Sequence, residues 1–161
     1  MLKKILILRD EIEEELANID NLKDNLQEIQ NKNLDKDIKT RLSASILDDF
    51  YLATEKIFKK IAQEIDEELP GGGDWHKKLL RLMTIKLPET RPKVINKKLF
   101  HQLEEYLWFR HLTRNIYGFK LDLERFEHLI NDLDKVSNEL NRQLTKFLDS
   151  MEEIAKEADN D

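Results

Sequence analysis

The densest run of chemically useful side chains in the sequence is Phe109-Arg110-His111-Leu112-Thr113-Arg114-Asn115-Ile116-Tyr117-Gly118. Read as helix, the run places Arg110 and Arg114 one turn apart on one face, His111 and Asn115 likewise, and Tyr117 two turns beyond Arg110 on the same side. Two guanidinium groups and a phenol on one surface suit a phosphodiester, because the planar guanidinium fork meets phosphate oxygens with paired donors and keeps its charge at ordinary pH. Arg110 or Arg114 would stabilise developing negative charge. An imidazole at hand, and His111 is the only one in the run, is the usual means by which RNA is cleaved without metal, through activation of the ribose 2′-hydroxyl. The plainer reading pairs the two arginines with Glu104, Glu105 or acidic residues of another helix and leaves Tyr117 packed with its hydroxyl at the edge.

Other chemistries find little support. The four histidines (His76, His101, His111 and His128) form no pair three or four residues apart, so helical metal-ligand spacing is missing. Gly71-Gly72-Gly73 lacks the Lys-Ser/Thr continuation of a phosphate-binding loop and reads as a turn. No cysteine is present, which removes disulfides, thiolate metal sites and a thiol nucleophile, and fits a cytoplasmic location. The apolar start, Met1 to Leu8, is too short to span a membrane and runs straight into Arg9-Asp10-Glu11, so it reads as the beginning of the first helix.

The formal net charge of −6 is unevenly spread. Between Asp74 and Lys120 eleven Lys/Arg face four Asp/Glu, a local excess of seven positive charges that contains the Arg110–Tyr117 run. Such a field can hold a phosphate backbone or an acidic protein surface, or be balanced in space by the acidic remainder of the chain. Arg114 and Lys120 are the natural RNA-binding cations within it.

The elements that must position these residues read as helices. With 37% charged residues, four glycines and three prolines in 161 residues, the composition is that of one domain of long amphipathic helices, residues 1–161, rather than of strands. Ile12, Leu16, Ile19, Leu22, Leu26 and Ile29 form the first stripe, and a polar break follows at Asn31 to Asp35. Leu42, Ile46, Phe50, Ile57, Ile61 and Ile65 form the second, ended by Pro70-Gly71-Gly72-Gly73. Asp74 is placed to cap a short helix through Trp75 to Met83, and two prolines make Leu87 to about Asn96 an exposed loop. Asn96 should cap a helix carrying Leu99, Leu103, Tyr106, Leu107 and Leu112 as far as Tyr117, with Gly118 as its stop. Asp122 then caps a final long helix from Leu123 to Met151, and the acidic tail from Glu152 to Asp161 should fray. The expected fold is all-α, an antiparallel bundle of four main helices plus one short helix. The length of the last helix further suggests a homodimer.

The Arg110–Tyr117 run resembles the signature of HepT-like proteins, the minimal HEPN-domain ribonuclease toxins, in which Arg, four residues, His, one residue and Tyr follow on a bundle helix. Arg110 matches the Arg, Asn115 stands at the His position and Tyr117 matches the Tyr. Gly73-Asp74-Trp75-His76, Leu103 to Arg110 and Tyr117-Gly118-Phe119 are also similar to one branch of the group, so that the similarity covers about 71–133. The resemblance implies a HEPN-like bundle, a homodimer with a composite groove, metal-independent endoribonuclease action on RNA with no cofactor, and a type VII-like toxin–antitoxin pairing. The partner it implies is a nucleotidyltransferase antitoxin of the MntA type that adds AMP to Tyr117. Asn115 departs from the pattern, since an amide positions a phosphate or 2′-hydroxyl but does not exchange protons near neutral pH. His111 is the available substitute, about one turn away, and a register starting at Arg114 fails because Phe119, Lys120 and Leu121 supply no histidine. The run therefore reads as a weakened nuclease, an RNA-binding groove without turnover, or a helical module kept for binding a nucleotidyltransferase or another protein.

Overall fold

The computed structural model describes Met1–Asp161. Five α-helices follow in chain order: α1 (Leu2–Asn31), α2 (Lys36–Ile61), α3 (Trp75–Leu82), α4 (Lys97–Asn115) and α5 (Glu127–Asn160). No strand forms; a single β-bridge joins Leu87 to Arg91. The four long helices run alternately up and down, and polar pairs between them fix the order. Lys60 reaches Glu11 while Gln30 reaches Ser43, so α2 lies antiparallel to α1. Arg9 pairs with Asp149 and Glu152 while Lys23 pairs with Asp134, which sets α5 antiparallel to α1. Tyr106 donates to the Leu129 carbonyl and Gln143 accepts from the Asn96 amide, which sets α4 antiparallel to α5.

The apolar stripes meet in one core of 36 buried residues. Burial of whole Leu, Ile and Phe side chains at roughly 1.5–3 kcal/mol each is the main force holding the helices together. Helix α2 sits against α1, α3, α4 and α5, and so buries residues on several faces, among them Ser43, Leu47, Phe50, Tyr51, Thr54 and Phe58. Leu42, assigned above to the inward stripe, is 42% exposed.

Several boundaries differ from the sequence expectation. Helix α2 ends well before the proline, in a π-helical turn at Ala62–Asp66 followed by Glu67 in the left-handed region at φ 59°. That turn carries Asp66 inward to Arg91, with Arg91 Nε and Nη2 donating to its two carboxylate oxygens at 2.6 and 2.9 Å. Arg91 is buried, and it also donates to the carbonyls of Leu82, Ile85 and Pro92. The loop expected to be exposed is therefore pinned to the core by one guanidinium. Asn96 caps α4 through its side chain, which accepts from the Leu99 amide at 2.8 Å. Asp122 caps a 3₁₀ turn (Leu123–Phe126) and not α5, which starts at Glu127. The acidic tail stays helical to Asn160 because Met151 and Ala155 remain in the core and Asp159 accepts from the Leu2 amide, capping α1 from across the bundle.

Candidate functional site at the end of helix α4

Helix α4 stops at Asn115, earlier than its apolar pattern suggests. Ile116 and Tyr117 are extended, and Gly118–Lys120 form a 3₁₀ turn. Tyr117 thus lies beyond the helix, and the geometry of three side chains on one helical face does not form. Gly118 carries no left-handed φ. A Cβ there would instead come within 3.2–3.3 Å of the Arg41 guanidinium, which lies against it from α2.

Arg110 is half-buried and faces α2, where its Nη1 donates to the main-chain carbonyl of Asp48 at 3.1 Å. Its Nε and Nη2 donate to no protein group. One turn on, Thr113 donates through its hydroxyl to Asp48 Oδ2 at 2.7 Å. Asp48 Oδ1 is buried and has no hydrogen-bond partner in the protein. Burial raises the Asp48 carboxyl above the usual carboxylate range, against the lowering effect of the Thr113 hydrogen bond and of the nearby Arg110 and Arg114 charges. Both arginines thus act on the Asp48 carboxylate through their charge, without an ion pair to it.

Arg114, Asn115, Ile116, Tyr117 and Lys120 line an open groove of about 460 Å³. Tyr117 is 69% exposed, its ring nearly parallel to that of Phe119, and the Lys120 ammonium stands 5.8 Å from the Tyr117 ring centroid. Asn115 turns back on its own helix, its amide donating to the His111 carbonyl at 2.6 Å. His111 belongs elsewhere: its ring lines a larger recess of about 710 Å³ with His76, Glu104, Glu105, Trp108 and His128. In that recess His128 lies 3.0 Å from Glu105 and His76 lies 2.7 Å from the buried Glu55. The structure therefore brings together Arg114, Asn115, Tyr117 and Lys120 in one groove, turns Arg110 to Asp48 on α2 and places His111 in the other recess.

The sequence model of the HepT-like protein family matches residues 42–151. The chain belongs to the HepT-like family. No curated protein and no solved structure matches it. The matched region is wider than the similarity read from the motif alone, taking in most of α2 and α5 and leaving out α1. It includes Asp48, which the sequence reading did not single out. A weak signal was available, since Asp48 and Asp49 interrupt the run Ile46-Leu47 and Phe50-Tyr51 on a helix otherwise buried there. No helix is long and apolar enough to cross a membrane.

Proposed function

We propose that this HepT-like chain is the toxin-type subunit of a type VII-like toxin–antitoxin pair, and that it binds RNA in the groove at the end of α4 and cleaves it slowly without metal. The observation that carries the reading is the grouping of Arg114, Asn115, Tyr117 and Lys120 around one open groove, one helical turn beyond Arg110. Guanidinium, amide, phenol and ammonium groups are donors to phosphate oxygens, and the groove offers no carboxylate or imidazole that would ligate a divalent ion. Positioning and charge stabilisation are the means of rate enhancement such a site possesses. Proton transfer is its weak point, because Asn115 does not titrate and His111 lines a different recess. That weakness favours a second reading, in which the groove holds RNA or a partner protein without turnover.

The exposed Tyr117 phenol is open to a modifying enzyme, which supports the MntA-type nucleotidyltransferase as partner and AMP as the added group. A homodimer would complete the groove with the same residues of a second copy. The test is digestion of an unstructured RNA in EDTA by the parent, Arg110→Ala and Arg114→Ala. Cleavage by the parent with loss of at least about tenfold in each variant is the expected result. Binding without cleavage by the parent selects the second reading, and equal cleavage by all three removes both arginines from the mechanism.

A further inference from the structure

Tyr117, which lines the groove, and Phe119 two residues on are large aromatic side chains left outside the core. Tyr117 is 69% and Phe119 65% exposed, and neither packs against the core, whereas Leu112, Leu121 and Leu123 on either side do. Their rings lie 5.5 Å apart between centroids with planes only 6° from parallel. The 3₁₀ turn at Gly118–Lys120 holds Phe119 outward. Three cations lie near the pair: the Lys120 ammonium over the Tyr117 ring, Arg114 in the groove that Tyr117 lines and the Arg41 guanidinium against Gly118.

We infer that Phe119, backed by the parallel Tyr117 ring, is a stacking platform for an unpaired nucleobase beside the groove. The inference rests on the RNA-binding reading above and adds the residue that holds the base, Phe119. Exposed π faces accept any base, and flanking cations hold the phosphates on either side of it. A duplex keeps its bases stacked on one another and offers such a platform only its ends.

The experiment measures affinity of the parent, Phe119→Leu and Phe119→Trp for a fluorescein-labelled 2′-O-methyl oligouridylate and for a blunt RNA duplex of equal length. The 2′-O-methyl groups block turnover, and circular dichroism and melting confirm that each variant is folded. Phe119→Leu should weaken single-strand binding about tenfold and leave duplex binding unchanged, while Phe119→Trp restores the parent affinity. Equal loss on both probes, or no loss on either, overturns the platform while leaving RNA binding intact. A Phe119→Leu variant that keeps its RNA affinity but changes from dimer to monomer in sedimentation assigns the pair to a protein interface and also overturns it. Failure of the parent to bind either probe removes the RNA reading itself, and this inference with it.

Discussion

Arg110 on α4 is tied to Asp48 on α2 through the main chain, its Nη1 donating to the Asp48 carbonyl at 3.1 Å, while the Asp48 carboxylate is left to Thr113. The guanidinium is thus oriented by an atom that no substitution at position 48 removes. Its charge faces a carboxylate that is itself short of one partner. This arrangement fixes the end of α4, and with it the groove that Arg114 and Asn115 line.

The raised Asp48 carboxyl gives stability a definite pH dependence. Below the ordinary carboxylate range the group is protonated in the folded and unfolded chain alike and contributes nothing to the difference. As pH rises, the unfolded chain ionises first, so this group's contribution turns against the fold until the folded carboxyl has also ionised. Asp48→Asn keeps an acceptor for the Thr113 hydroxyl and removes the charge. The variant should melt higher than the parent at pH 7 and at the same temperature as the parent near pH 3, as followed by circular dichroism.

Arg91 and Asp66 form the most buried ion pair in the chain, with side chains 0% and 4% exposed. Arg91→Ala strands the Asp66 carboxylate among apolar neighbours and should cost about 3–5 kcal/mol in urea denaturation. The double variant Arg91→Met/Asp66→Leu removes both charges and should lose clearly less than the single one.

Asn115 separates the chain from the histidine pattern of the HepT-like signature, and its side chain now spends its donor on the His111 carbonyl. If the groove has the geometry for cleavage, supplying a titratable ring there should raise the rate. Asn115→His is expected to cleave RNA on the order of 10²-fold faster than the parent in EDTA. An unchanged rate would support the binding reading.

The long helices were legible because their apolar residues repeat every three or four positions, and α1, the central part of α5 and the Asn96 cap lie where the pattern puts them. What the pattern conceals is decided by partners far away in sequence. Tyr117 continues the expected face of α4 by spacing, yet the helix has ended two residues earlier and the ring is placed by a 3₁₀ turn. Gly118 reads as a helix stop, although its small size serves the Arg41 guanidinium. Asp159 sits in a polar tail that looks free to fray, and only the fold brings the Leu2 amide to it, which also holds its carboxyl below the usual range. Of the candidate site, residue types were readable and directions were not: His111 and Asn115 stand one turn apart, but the ring of one and the amide of the other serve different cavities.

The most direct test of the RNA-binding groove is the salt dependence of single-strand affinity in the parent and in Arg114→Ala/Lys120→Ala. Every cation withdrawn from a phosphate should reduce the slope of log K against log salt by about 0.7, so the double variant should fall short of the parent by about 1.4. Parallel plots, with affinity lowered equally at every salt concentration or not at all, would mean that neither cation meets a phosphate and would contradict the account.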